Sequence, residues 1–343
     1  MSKMSKTLII APSWVGDAVM AQPLLRRLRE QNLELVLDAF APPWVAPVLQ
    51  RMPEISRVIP NPFGHGALRL GERWQTARRL KQEGYDHAIV LPNSLKSALI
   101  PFFAGIRLRT GYVGEMRYLL LNDARRLDKQ ALPLMVERFA ALGERPGAPL
   151  QRPVPYPQLS VDAARQQATL DKFGLFPSNS PAKPVAAFCV GAEYGTAKRW
   201  PTHHFARLAQ LLAANYEIWL LGSTKDAAVG AEIATLSQGA AHNLCGETDL
   251  GEAVDLIAAS ALVVSNDSGL MHVAAALDKP MIAIYGSSSP GFTPPLSDKA
   301  RVVTLNLPCS PCFKRTCPLG HLDCLEKLTP ERVLAEIAGL KLT

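Results

Sequence analysis

The chain has 343 residues, 48% hydrophobic and 20% charged. That is too long for one ordinary core and too apolar for disorder, so two domains of about 150 residues each are expected. The first 150 residues hold 21 Lys and Arg against 13 Asp and Glu, and the rest hold 16 against 17, so the excess positive charge lies in the first half, marking either an anionic partner or merely a solvated basic surface.

In chain order, residues 7–11 read as a strand and 15–29 as a helix with apolar positions Val19, Leu24, Leu25 and Leu28. Strands are expected at 33–39, 57–60 and 87–91, with a basic helix at 70–82. Strand, helix, strand in this order implies parallel pairing through right-handed crossovers. The opening strand is too short an apolar run for a signal peptide, and no stretch approaches the roughly 18 apolar residues of a membrane span. A cytoplasmic protein without a transmembrane segment is therefore expected.

Prolines then crowd, from Pro146 to Pro184, around one amphipathic stretch at 161–173. This is the expected domain boundary. Alternation resumes with strands at 185–190, 217–221, 262–265 and 280–285. Helices are expected at 203–214, 226–236, 251–259, 269–277 and 330–340. The fold class is α/β: two Rossmann-like, doubly wound halves with a ligand cleft near the carboxyl ends of their strands.

Four stretches carry candidate chemistry. Ser13-Trp14-Val15-Gly16-Asp17 follows the first strand, and Asp17 falls on the opening turn of a helix; it is either a group aimed into the cleft or only a helix-start acid complementing the dipole. Gly191-Ala192-Glu193-Tyr194-Gly195-Thr196-Ala197-Lys198-Arg199-Trp200-Pro201 also follows a strand. Its glycines allow close backbone approach and Lys198 offers a point charge for phosphate, or Lys198-Arg199 is solvated surface. Asn266-Asp267-Ser268-Gly269-Leu270-Met271-His272 runs from a strand into a helix, where unpaired N–H groups, the dipole and a hydroxyl suit an anion. Asp267 beside a diphosphate is electrostatically awkward, so sugar hydroxyls suit it better. The alternative is an N-cap with a satisfied Asp. Finally Cys309, Cys312, Cys317 and Cys324 enclose His321; free thiols in a basic loop are preferred over a structural zinc because the second pair is spaced too widely.

No Gly-x-Gly-x-x-Gly follows either opening strand, no Gly-x-Ser-x-Gly is present, and no two histidines stand at metal-binding spacing beside a glutamate. The basic pI of about 9.1 suggests nucleic acid, but no aromatic-interleaved basic platform accompanies it.

Together, in this order, these stretches resemble glycosyltransferase family 9, the heptosyltransferases, and the Ala-Lys-Arg-Trp-Pro and cysteine segments resemble its type II members. The resemblance spans nearly the whole chain. It implies a GT-B fold with a central cleft: an acceptor domain at 1–155, a Pro-rich linker at 156–184, an ADP-sugar domain at 185–325, and a closing helix at 326–343 crossing back to the first domain. It implies transfer of L-glycero-D-manno-heptose from ADP-heptose, with inversion and without cofactor or metal, to the first heptose of the inner core on Kdo2-lipid A. The acceptor then lies at the inner face of the inner membrane, where the enzyme is peripheral. Type I transfer, or another GT-B sugar-nucleotide transfer, is the alternative. Asp17 matches the general base, Lys198 the basic residue at the diphosphate, and Asp267 the acid at the donor sugar. Ser268, Gly269 and His272 complete the donor side. Where type I members carry adjacent threonines before the lysine, Glu193 and Tyr194 stand here, which turns Glu193 towards donor hydroxyls.

Overall fold

The computed structural model describes residues 5–64, 68–175 and 183–340. They form two compact units that meet in sequence at Pro157 and Gln158.

In the first unit, β1 (Lys6–Ile10) leads into α1 (Val15–Met20) and α2 (Gln22–Gln31). The single helix expected over 15–29 is therefore two. Pro23 has no N–H to give and its ring opposes the carbonyl four residues back, so it is accommodated in the first turn of a new helix. β2 (Val36–Ala41) starts later than expected because Leu35 N closes a turn on Asn32 O at 3.1 Å. Then follow α3 (Ala46–Leu49), β3 (Arg57–Pro60), α4 (Leu70–Gln82), β4 (His87–Val90), α5 (Leu95–Phe103), β5 (Leu108–Tyr112), β6 (Asp123–Arg125) and α6 (Met135–Ala141). The strands pair in the order β3-β2-β1-β4-β5-β6, all parallel. α4 and α5 pack side by side, and Ala77, Leu80, Ala98 and Ile100 join Leu8, Ile10 and Val90 in one core. α1 and α2 pack with α6.

The second unit opens with α7 (Ala163–Lys172), whose N-terminus is capped by Asp162 accepting from Ala164 N and Arg165 N. β7 (Val185–Cys189), α8 (Thr202–Leu212), β8 (Glu217–Leu221), α9 (Ala227–Leu236), β9 (Ala241–Asn243), α10 (Leu250–Ala259), β10 (Leu262–Asn266), α11 (Gly269–Ala276), β11 (Met281–Ile284), β12 (Ala300–Val303), α12 (Asp323–Glu326) and α13 (Pro330–Ala338) follow. The order is β12-β11-β10-β7-β8-β9, again all parallel. Reversed, it is the pattern of the first sheet. In both, the first strand lies beside the fourth, the chain running outward on one side and then on the other. Such a switch point opens a crevice at the carboxyl ends of the two central strands.

Part of the proline-rich segment at 156–184 is not a free linker: α7 packs on α10, with Thr169 Oγ1 donating to Asp255 at 3.2 Å. Residues 176–182 of that segment lie outside the described residues. The closing helix α13 packs on α8, β11 and β12, with Val333 and Ile337 buried in the core of the second unit.

Candidate active site

The two central strands of the second sheet, β7 and β10, pair from Leu262↔Ala186 to Ser265↔Cys189. The loops leaving them therefore emerge side by side. Asn266 fastens them together: its side-chain amide donates to Val190 O at 2.8 Å and its Oδ1 accepts from Trp200 N at 3.0 Å, both buried. The indole of Trp200 donates to Leu328 O at 2.8 Å and anchors the far end of the loop.

Between these fixed points the loop bends through a short 3-10 turn, Thr196–Lys198. Ala197 N donates to Arg315 O at 3.0 Å, and a Cβ on Gly195 would stand 2.3 Å from that same carbonyl, so only glycine fits. The turn delivers Lys198 Nζ to Asp267 Oδ2 at 2.5 Å, across 69 positions of sequence. The Nζ also stands 5.1 Å from the centroid of the Tyr194 ring, whose hydroxyl donates to Phe313 O at 2.9 Å. Asp267 is buried and accepts a further hydrogen bond from Ser288 Oγ. Both donors converge on this one carboxylate, and it keeps the ammonium at a fixed place.

Asp267 directly precedes α11. Ser268 is the N-cap residue without using its side chain as a cap. The first-turn N–H groups of α11 have no acceptor within the helix, and its dipole adds partial positive charge there. His272 is buried one turn in. Burial pushes its pKa down to about 4, Asp267 opposing and Lys198 reinforcing the shift. It is a neutral imidazole at neutral pH. An ammonium, a helix N-terminus and a neutral histidine around one carboxylate suit a ligand with an anionic end and hydroxyls beside it.

Lys198, Asp267, Ser268, Gly269 and His272 thus come together around one carboxylate. Glu193 stands apart from them, on the exposed side of the same loop, where it is ion-paired with Lys225. Ser288, Asn266 and Trp200 are the structural partners that sequence reasoning missed. The signal for Ser288 was available, since Gly286-Ser287-Ser288-Ser289 follows the strand next to β10 and must emerge on the same edge.

In the first unit, Asp17 lies on the first turn of α1, half-buried, at the carboxyl end of β1. Trp44 Nε1 donates to Ser13 O at 2.9 Å and steadies this loop. Ser13 borders an open cleft over the ends of β1 to β4, lined also by Trp44, Asn61, Arg73 and Lys96. Its charged lining is basic, in the half of the chain that carries the positive excess.

The four clustered cysteines and His321 line a narrow depression. The backbone N–H groups of Leu322, Leu319, Gly320 and His321 hold the Cys317 thiol below its ordinary pKa, while burial raises that of Cys324. Among the described residues, the ligand atoms that all lie within 4.8 Å of one another belong to His203, His204 and Glu326, not to the cysteines. No sequence spacing reveals that trio, because α8 and α12 bring it together across more than a hundred positions.

A family model described as glycosyltransferase family 9 (heptosyltransferase) matches residues 73–323. Lipopolysaccharide heptosyltransferase 2 of Escherichia coli strain K12 is 50% identical over 347 residues, covering 98% of this chain and 99% of that protein. Its counterpart from Salmonella typhimurium strain LT2 is 50% identical over 345 residues, covering 98% of each. The solved structure of E. coli ADP-heptose lps heptosyltransferase II superposes with a TM-score of 0.87 at 47% identity, over 97% of this chain and 98% of that one.

Proposed function

The chain belongs to glycosyltransferase family 9, the heptosyltransferases, and from that premise we propose that it moves heptose from ADP-heptose onto the first heptose of the lipopolysaccharide inner core. The fold is GT-B, and the enzyme is a transferase of lipopolysaccharide biosynthesis. Half identity along nearly the full length of two heptosyltransferase 2 proteins is the observation that carries the type II reading.

The second unit takes the donor. Lys198 and the N-terminus of α11 receive the diphosphate, and Asp267, positioned by Ser288, meets the hydroxyls of the sugar. Glu193 serves the donor side at its rim. The first unit takes the acceptor in the basic cleft bordered by Ser13, Arg73 and Lys96, a lining that suits phosphates and carboxylates. Asp17 accepts the proton of the acceptor hydroxyl as its oxygen attacks the anomeric carbon from the face opposite the leaving group. The bond from that carbon to the β-phosphate oxygen breaks, the configuration inverts, and ADP leaves with the electron pair. Lys198 and the α11 amides stabilise the charge that develops on it.

Among the described residues no helix is long and apolar enough to cross a membrane. The acceptor is lipid-anchored, so the enzyme works as a peripheral protein at the cytoplasmic face of the inner membrane. Mass spectrometry of a reaction with ADP-heptose and heptosyl-Kdo2-lipid A tests the assignment. One added heptose on this acceptor supports it, whereas addition only to Kdo2-lipid A lacking heptose assigns the type I reaction instead.

A further inference from the structure

A lipid-anchored acceptor must be reached at a bilayer, and the first unit carries a surface suited to one. The loop after β5 holds Met116 and Leu119 outward, 85% and 89% exposed, with Tyr118 between them at 57%. Such side chains normally turn inward, and here the loop is fixed against doing so. Arg117, itself buried, donates to Pro92 O, Ser94 O and Tyr112 O. Glu115 accepts from Leu95 N at 2.7 Å, and Arg109 donates to Leu120 O at 2.7 Å while its guanidinium lies 5.6 Å from the Phe102 ring. The loop is thus pinned to both ends of α5. Glu115 and Met116 also hold left-handed backbone angles, φ 44° and 55°, in residues that are not glycine. Conformations of that kind persist where the surroundings impose them, and they cluster at functional sites.

The neighbouring helix carries exposed groups of the same kind. α4 packs on α5 and buries Arg73, Ala77 and Leu80. Its outer stripe at four-residue spacing is Leu70, Trp74 and Arg78, with the Arg78 guanidinium 4.8 Å from the Trp74 ring. Arg79 and Lys81 of the same helix and Arg107 beyond the end of α5 are exposed, while the acid Glu72 is paired with Arg69. Exposed apolar side chains that include an aromatic, bordered by basic groups, are the composition of elements that lie in a membrane interface.

We propose that this face, α4 together with the 115–120 loop, docks the enzyme on an anionic phospholipid surface, inserting Met116, Leu119 and Trp74 among the acyl chains while the arginines and Lys81 meet the headgroup phosphates. It rests on the reading of the acceptor as lipid-borne, but it names the contact independently of catalysis. Charge decides between occupants: a second copy of the chain would bring the same predominantly positive face against itself, whereas an anionic bilayer complements it.

The test is sedimentation with vesicles of phosphatidylethanolamine and phosphatidylglycerol that contain no acceptor. Wild type should pellet, and less so as salt rises. M116S/L119S should weaken partitioning about tenfold or more, and R78E/R79E at least about twentyfold on anionic vesicles. Neither should change the melting temperature materially or the rate on a deacylated, water-soluble acceptor, while both slow transfer to acceptor embedded in vesicles. The proposal is overturned if wild type stays in the supernatant at low salt, if the variants pellet like wild type, or if the variants instead abolish a concentration-dependent dimer. A wild type that pellets through this face yet transfers no heptose to either acceptor would overturn the proposed reaction and leave the docking surface standing.

Discussion

At the residue scale, Asp17 and Lys198 are assigned separable tasks, one on each unit. An acceptor hydroxyl is a poor nucleophile until a carboxylate takes its proton, and Asp17→Asn keeps the shape but removes the base. The expected loss is about 10²–10⁴-fold in kcat with little change in KM for ADP-heptose. A merely helix-starting Asp17 would instead cost about 1 kcal/mol or less of stability and leave kcat nearly intact. A folded Asp17→Asn enzyme that keeps more than about a tenth of wild-type kcat removes it as the base. Lys198→Ala should weaken ADP binding by roughly 1.5–3 kcal/mol, the worth of a hydrogen bond to a charged group, and Asp17→Ala should leave that affinity alone. Calorimetry with ADP reads both. Equal affinity in wild type and Lys198→Ala would take the lysine out of the site. Lys198 was legible from its type and loop position, but its pairing with Asp267 was not, since nothing local records a contact 69 residues away.

At the scale of elements, the proposed donor site depends on two loops being tied where β7 and β10 end. Asn266 is the tie, and its removal leaves a buried carbonyl at Val190 and a buried N–H at Trp200 without their partner. Asn266→Ala should therefore destabilise the protein by about 2–4 kcal/mol, two buried groups at roughly 1–3 each with partial relaxation. ADP affinity should fall as well, because the turn carrying Lys198 loses its fixed end. A thermal melt beside an ADP titration checks it; wild-type values in both would show that the loops are held elsewhere. The strands and helices around this tie were largely legible, since continuous apolar runs such as 185–190 mark strands buried on both faces. The stretch from 92 to 145 was not. There α5 carries a proline in its interior and β6 is only three residues long, so neither shows a clear period.

At the scale of the whole molecule, each unit holds a histidine that burial keeps neutral. His272 lies one turn into α11. His87 in the first sheet stands 2.8 Å from Thr110 Oγ1, whose own proton goes to Asp123, so the imidazole is the donor. Burial pushes both pKa values down to about 4. For His87, Asp123 opposes that shift and Arg125 adds to it. A histidine whose folded pKa lies below its ordinary value stabilises the neutral form. Its contribution is complete above about pH 6.5, is lost as pH falls towards 4, and changes no further below that. On the order of 3 kcal/mol each should disappear over that window. Melting temperatures followed from pH 7 to pH 4 should fall, and His87→Gln should flatten part of the slope. A His87→Gln profile parallel to wild type would mean that His87 is not held neutral.

The sequence by itself determined the α/β class, two units, the basic first half, and the loops that carry Asp17, Lys198 and Asp267. These are local properties: periodicity, charge and turn chemistry are written in neighbouring residues. Only the tertiary structure decided that both sheets share one strand order, a repetition with no sequence repeat behind it. It also decided that α7 and α13 pack on the second unit, and that Asn266 and Ser288 build the surroundings of Lys198 and Asp267. Strand order and side-chain meetings depend on crossovers and packing between distant segments, and a parallel strand's partner lies a whole helix or more away along the chain.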